Sequence, residues 1–277
     1  MARAISRRRA GVAALLLVAS MLASCGTGAA PASRAAGEPL GGRVTVFAAS
    51  SLTDVYRTIG VAFQQAHPGV TVEFNFGASS ALAAQIEQGA PADVYASADE
   101  ANMRKVAERD LIAGAPVTFA RNRPVIVVPA ANRAAIASPK DLAKPGVKLV
   151  LAGPEVPIGR YARQIIDRLA ADPAYGAAFR DATLRNLVSN EANVRAVLTK
   201  VELGEADAGI VYHTDARAAG ERVKAVDLPD TANVIATYPV GVVAASKNPD
   251  AARAFVTFVT GPEGQRLLAD AGFDAAR

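Results

Sequence analysis

Three short stretches of small and polar residues stand where a strand gives way to a helix, Ala49-Ser50-Ser51, Gly77-Ala78-Ser79-Ser80 and Gly153-Pro154-Glu155-Val156-Pro157-Ile158-Gly159, and a fourth, Ser189-Asn190-Glu191-Ala192-Asn193, precedes a further helix. At a helix start the first backbone N–H groups have no partner within the helix. Such an end carries partial positive charge and suits an anion, with about 0.3–1 kcal/mol gained for a charge placed there. A single Ser at such a place reads first as an ordinary helix cap. Several such ends facing one cleft, with Ser hydroxyls and a Tyr hydroxyl between them, could surround a tetrahedral dianion entirely with neutral donors. Hydrogen bonds to a charged group are worth about 1.5–3 kcal/mol each, so about six could offset the loss of hydration without any counter-charge. No concentrated Arg/Lys signature for a ligand occurs in the chain.

Competing chemistries find less to work with. A serine hydrolase would use Ser79 or Ser80 as nucleophile, His213 as base and Asp215 to orient it. Gly77-Ala78-Ser79-Ser80-Ala81 is not the Gly-x-Ser-x-Gly elbow, and His213 and Asp215 are too close in sequence to be separate triad members. The chain has 2 His and 1 Cys, and no His-Glu-x-x-His, so it offers no site for a bare metal cation. Phosphate-binding-loop and dinucleotide fingerprints are both missing. The expectation is a binding protein without catalytic residues and without a cofactor.

The elements that must position these junctions follow from hydrophobic period. Val44–Phe47 opens a strand, and Leu52, Val55, Tyr56, Ile59 and Phe63 form one helix face. Val70–Phe76 alternates as a half-buried strand. A short helix around Leu82 and Ile86, a strand at 93–96, a helix over 102–109 and a strand at 125–129 follow. Further on come a strand at 149–151, helices marked by Tyr161–Leu169 and Val194–Val201, a strand at 209–212, late strands at 223–228 and 240–244, and closing helices at 251–259 and 265–269. This alternation predicts an α/β protein with two mainly parallel sheets flanked by helices. Residues 121–129 and 237–245, extended, apolar and Pro-containing, read as paired crossings between two lobes. The first lobe would comprise 43–122 and a return at 240–277, the second lobe 123–239, with a ligand cleft between them.

Composition agrees. Of 277 residues 51% are hydrophobic and 20% charged, which excludes disorder and coiled coil. The net charge of +4 comes from Arg3, Arg7, Arg8 and Arg9, and the rest of the chain balances 26 acidic against 26 basic groups. With no later basic run and no Trp, nucleic acid is not an expected partner. Those arginines precede an uncharged stretch at 10–24, shorter than the ~20 residues of a membrane span and typical of a signal peptide. Residues 26–42 are a Gly/Ala/Pro/Ser tether.

Two resemblances give these features a direction. Leu22-Ala23-Ser24-Cys25 resembles the bacterial lipobox, which implies a signal peptide over 1–24, lipid on Cys25 and a tether over 25–42. Val44-Thr45-Val46-Phe47-Ala48-Ala49-Ser50-Ser51-Leu52-Thr53-Asp54, the block from Phe76 to Tyr95, Pro154-Glu155-Val156-Pro157-Ile158-Gly159-Arg160-Tyr161-Ala162 and Gly209-Ile210-Val211-Tyr212 resemble, in order, the molybdate-binding proteins of bacterial ABC importers. The resemblance implies the two-lobed periplasmic-binding-protein fold. By motif it implies oxyanion contacts from the hydroxyl and N–H of Ser51 and Ser79, the N–H of Ile158, the N–H of Val194 and the hydroxyl of Tyr212. It further implies a monomer held by lipid on the outer face of the cytoplasmic membrane, with an ABC permease as partner. Tungstate is nearly isosteric with molybdate, and sulfate is a further tetrahedral candidate. Phosphate stays open through Glu155 and Glu191, since a protonated oxyanion needs an acceptor.

Overall fold

The computed structural model describes residues 40–276. The expected signal peptide, Cys25 and all but the last residues of the tether lie outside the described residues.

Among the described residues ten strands form two sheets of five. In the first, β1 (Gly42–Ala49), β2 (Val70–Gly77), β3 (Val94–Ala96), β4 (Val117–Asn122) and β10 (Ala236–Val242) take the order β2-β1-β3-β10-β4. In the second, β5 (Pro124–Pro129), β6 (Leu149–Ala152), β7 (Leu187–Glu191), β8 (Ala208–Tyr212) and β9 (Val223–Val226) take the order β7-β6-β8-β5-β9. The sheets are mixed rather than mainly parallel. β1 pairs in parallel with β2 and β3, whereas β10 runs antiparallel to β3 and β4. The second sheet repeats this: β6 is parallel to β7 and β8, and β5 is antiparallel to β8 and β9. The physical reason lies in the crossings. In each sheet the fourth strand in spatial order is the one that enters directly from the other half of the chain, so it need not obey the right-handed βαβ rule that keeps successive strands parallel.

β4 ends at Asn122 and β5 begins at Pro124, so the first crossing is one residue long. The second lies between Val226 and Ala236, ahead of the 237–245 expected, because β10 is already part of the first sheet from Ala236 onward. Pro239 cannot donate to the ladder, and the β10–β4 register shifts between Tyr238 and Pro239.

Helices cover both sheets. α1 (Thr53–Ala66) buries Val55, Tyr56, Ile59 and Phe63 along one face, as its period predicts. α2 (Ser79–Glu87), α3 (Glu100–Ala107), α8 (Pro249–Thr260) and α9 (Pro262–Asp270) complete the first half. The second half has α4 (Pro157–Ala171), α5 (Phe179–Arg185), α6 (Val194–Glu202) and α7 (His213–Ala219). β4, β7, α5 and α7 were not anticipated as elements: the last three are short, and Leu187–Glu191 alternates only between half-buried and exposed positions, which is the faint signal of an edge strand.

Candidate functional site

The four anticipated junctions border one cavity. Its wall is made by residues 49–51 after β1, 77–79 after β2, 156–158 before α4, Val194 at the start of α6, and by Ala98 and Tyr212. Ser51, Ser79, Ile158, Val194 and Tyr212 therefore all line the same space, and no wall residue is charged.

The serines are not caps. A turn of 3₁₀ helix, Ser50–Leu52, precedes α1; its cap residue is Ala49, and no side chain caps it. The cap residue of α2 is Ala78, again without a side-chain bond, so Ser79 is the first helical residue. α4 begins at Pro157 after Val156, also uncapped by a side chain, and Pro lacks an N–H, so Ile158 carries the first one. α6 differs. Asn193 accepts the Ala196 N–H at 3.1 Å and leaves the Val194 N–H without an intrahelical partner. Ser51 is 3% exposed, Ser79 1% and Ile158 1%, so water does not compensate for the missing caps. Buried helix ends without partners carry a desolvation cost, and a bound anion removes it.

The hydroxyls are held from behind. Ser79 Oγ accepts the Ala98 N–H at 2.9 Å, while the Ser79 carbonyl accepts the Tyr95 hydroxyl at 2.9 Å. Ser51 Oγ lies 3.0 Å from the Tyr238 hydroxyl. Tyr212 is fully buried at the end of β8, and its hydroxyl has no hydrogen-bond partner. Burial pushes the Tyr212 phenol well above its ordinary range, with the neighbouring Tyr238, Tyr161, Asp99 and Asp215 acting in the same direction, so it stays a proton donor. An unpartnered buried phenol beside uncapped helix ends gives the cavity the polarity of an oxyanion site.

α4 is brought close by Gly159. A Cβ there would overlap the carbonyl oxygens of Gly153 and Ala152, so only Gly lets the helix start abut the end of β6. Arg163 braces the same corner, donating to the Ala152 carbonyl at 2.9 Å and the Gly159 carbonyl at 2.7 Å.

Charges sit outside the wall. Arg160 of α4 pairs with Asp99, which is 1% exposed and caps α3 by accepting the Asn102 N–H. Arg195 of α6 reaches Asp54 of α1 at 2.8 Å. It also lies 3.0 Å from Asp215, off the hydrogen-bonding direction, so that contact is coulombic. These pairs join the two halves, and neither was legible in the sequence, because each links residues more than 60 positions apart. Tyr238 was missed for the same reason.

The hydrolase constellation does not assemble. His213 lines a different groove with Asn122 and Asp274, and Asp215 is spent on the Tyr212 N–H at 3.2 Å. The acceptors that would suit a protonated oxyanion are elsewhere too. Glu191 is engaged by Ser189 and Lys200, and neither it nor Glu155 is part of the wall. Among the described residues no cluster of His, Cys, Asp and Glu could hold a metal ion.

The profile of the family described as bacterial extracellular solute-binding protein matches residues 44–274. The molybdate-binding protein ModA of Mycobacterium tuberculosis is 43% identical over 264 residues, covering 95% of this chain and 96% of that protein. Among solved structures, the Azotobacter vinelandii periplasmic molybdate-binding protein aligns with a TM-score of 0.74 at 19% identity, covering 84% of this chain and 100% of that one. The sulfate-binding protein SubI of Mycobacterium tuberculosis aligns with the same TM-score of 0.74 at 23% identity, covering 84% and 86%. These two structural likenesses speak to the fold alone, and the fold does not separate the two ions. By the family match and the 43% identity, the chain belongs to the bacterial extracellular solute-binding protein family, to which it is joined by its similarity to the molybdate-binding protein ModA.

Proposed function

We propose that this protein captures molybdate outside the cytoplasmic membrane and delivers it to an ABC permease, acting as a binding protein rather than an enzyme. The observation that carries this reading is the convergence of buried, side-chain-uncapped helix starts and the unpartnered Tyr212 hydroxyl on one uncharged cavity. The contacts are the hydroxyl and N–H of Ser51 and of Ser79, the N–H groups of Ile158 and Val194, and the Tyr212 hydroxyl. Each is a neutral donor worth about 1.5–3 kcal/mol toward a charged acceptor, and together they replace the dianion's hydration shell. Tungstate, with the same charge and nearly the same size, fits the same donors.

Donors come from both halves, so ligand favours the closed arrangement, with hinge movement at the two crossings beside Asn122 and before Ala236. Membership of the strands supports residues 43–122 and the C-terminal return as one lobe, with the second lobe starting at Arg123 and the return placed at Ala236. The pairs Arg160–Asp99 and Arg195–Asp54 bridge the closed cleft. Lipid on Cys25 would tether the domain, and Cys25→Ser should then move it from the membrane to the soluble fraction.

Calorimetric titration with molybdate, tungstate, sulfate and phosphate tests the ligand. Binding of molybdate and tungstate with sulfate far weaker is the expected result; tight sulfate binding without molybdate binding would replace the ion, and no oxyanion binding would end the reading. Solution scattering across the same titration should show the radius of gyration falling; an unchanged radius removes closure.

A further inference from the structure

Asp99 is a buried carboxylate standing just outside the cavity wall. It follows Ala98, which is part of that wall and whose N–H braces the Ser79 hydroxyl. Its charge lies near enough to the cavity to push up the Tyr212 phenol. Its own half supplies only neutral donors: the Ser97 hydroxyl at 3.2 Å, the Asn102 N–H at 3.0 Å and the Asn102 side-chain amide at 2.9 and 3.0 Å. The cation that reaches it comes from the other half. Among the described residues Arg160 alone pairs with it, from the first turn of α4, just after Ile158 and Gly159. The two partners are unequally placed, with the Asp99 side chain 1% exposed and that of Arg160 41%. A buried carboxylate that loses its cation keeps an uncompensated charge, whereas a half-exposed guanidinium that loses its acid turns to water.

We propose that Arg160 is a positioning residue that permits the cleft to close on the oxyanion, by neutralising Asp99 as closure shuts it off from water. The inference rests on the oxyanion reading and on closure at the two crossings, and it gives the pair a direction: the cation is required and the acid is not. With the cleft open, Asp99 meets water and keeps Ser97 and Asn102. When α4 brings Ile158 to the ion, the same movement carries Arg160 onto Asp99, so donor and counter-charge arrive together. Without Arg160, closing buries a bare carboxylate and sets it against a dianion, two costs of one sign. Without either charge, neither cost arises. Arg160 is not part of the cavity wall, so it works through Asp99 rather than on the ion.

The test is a double-mutant cycle read by calorimetry on the whole protein with molybdate, comparing wild type, Arg160→Ala, Asp99→Asn and the double variant. Asn caps a helix start as Asp does, so α3 keeps its first turn; Asp99→Ser takes its place if Asp99→Asn does not fold. Arg160→Ala should weaken molybdate about 10–100-fold. Asp99→Asn alone should change it less than about threefold. In the Arg160→Ala background, however, Asp99→Asn should restore affinity to within about threefold of wild type. A merely structural bracket is not repaired by deleting its second half, so this rescue is the deciding readout. Urea unfolding without ligand should place the Arg160→Ala midpoint at the wild-type value. Wild-type affinity in Arg160→Ala, an equal effect of Asp99→Asn in both backgrounds, or a ligand-free midpoint that falls with the affinity overturns the proposal. If wild type binds sulfate and not molybdate, the ion in the preceding section is wrong, and the cycle is run with sulfate against the same criteria. No oxyanion binding in wild type ends both readings, whereas failure of the cycle while wild type binds molybdate sinks only the role of Arg160.

Discussion

The two halves of the molecule share one strand order and differ in almost everything that fills it. Around the first sheet the core is aromatic: Phe255 meets Tyr56, Phe63 and Phe74 at centroid distances of 6.0, 5.2 and 6.3 Å. Around the second it is aliphatic, with Ile165, Ile166, Leu169, Val197 and Leu198 buried against Val150 and Ile210. The donors divide in the same way. The first half offers Ser51 and Ser79, whose hydroxyls already have partners in their own half, Tyr238 and Ala98. The second half offers backbone N–H groups and the Tyr212 hydroxyl, which has none. The serine hydroxyls on one side of the cleft thus have partners before ligand arrives, whereas the Tyr212 hydroxyl on the other side gains one only with it. Topology is indifferent to which side chains fill it, whereas binding depends on which groups remain unsatisfied.

Three sets of variants bear on this contrast. The largest effect belongs to the cores. Phe255→Ala should cost about 3–5 kcal/mol and Ile165→Ala about 2–5, measured by urea unfolding. If the halves fold as one unit, both variants lower a single midpoint; two separate transitions, each moved by one variant, would make them independent.

The next effect is a pH dependence confined to the second half. Burial raises the Asp215 carboxyl from 3.8 to about 7, against the pull of the Arg195 guanidinium and the Tyr212 N–H, while Asp54 pushes the same way as burial. Between those values the folded protein holds a proton that the unfolded chain has released. Stability is therefore greatest below the unfolded value and falls as pH rises toward 7, by at most about 1.4 kcal/mol per pH unit. Thermal midpoints across that range should show a decline in wild type that Asp215→Asn flattens; parallel profiles for the two proteins would remove Asp215 as the cause.

The smallest effect is the most discriminating. Ser79→Ala and Tyr212→Phe should each weaken molybdate by about 1.5–3 kcal/mol, one hydrogen bond to a charged group. They should part in the absence of ligand. Ser79→Ala strands the buried Ala98 N–H and lowers stability as well, by about 1–3 kcal/mol, whereas Tyr212→Phe removes a hydroxyl with no partner and leaves stability unchanged or raised. Equal stability losses in the two would erase the distinction between a partnered hydroxyl and a waiting one.

Much of this was legible in the residues. The stripe from Val55 to Phe63, the alternation of Val70–Phe76 and the apolar run after Pro124 each declare their element, because period 3.6 and period 2 survive in a single chain. The four junctions were visible for a local reason too: small and polar residues gather at 49–51, 77–80, 153–159 and 189–193, just where helices begin, whereas Ser51, Ser79, Ile158 and Val194 as contacts came from the family resemblance. The weak elements escaped. β7 is half-exposed, and α5 and α7 have 7 residues each, too few for a period to rise above chance. The direction of β5 and β10 escaped too, since alternation reports which face is buried and not which way a strand runs.

What the sequence alone determined is the kind of donor: uncharged amides at helix starts, hydroxyls on Ser and Tyr, and no clustered cations to compete with them. Tertiary structure decided that these donors meet in one buried cavity, that Ser51 and Ser79 follow their caps rather than serve as them, and that Tyr238 stands behind Ser51 from 187 residues away. Hydrogen bonds between distant strands leave no periodic trace in the chain. They exist only once the sheets have fixed which side chains face each other across the cleft.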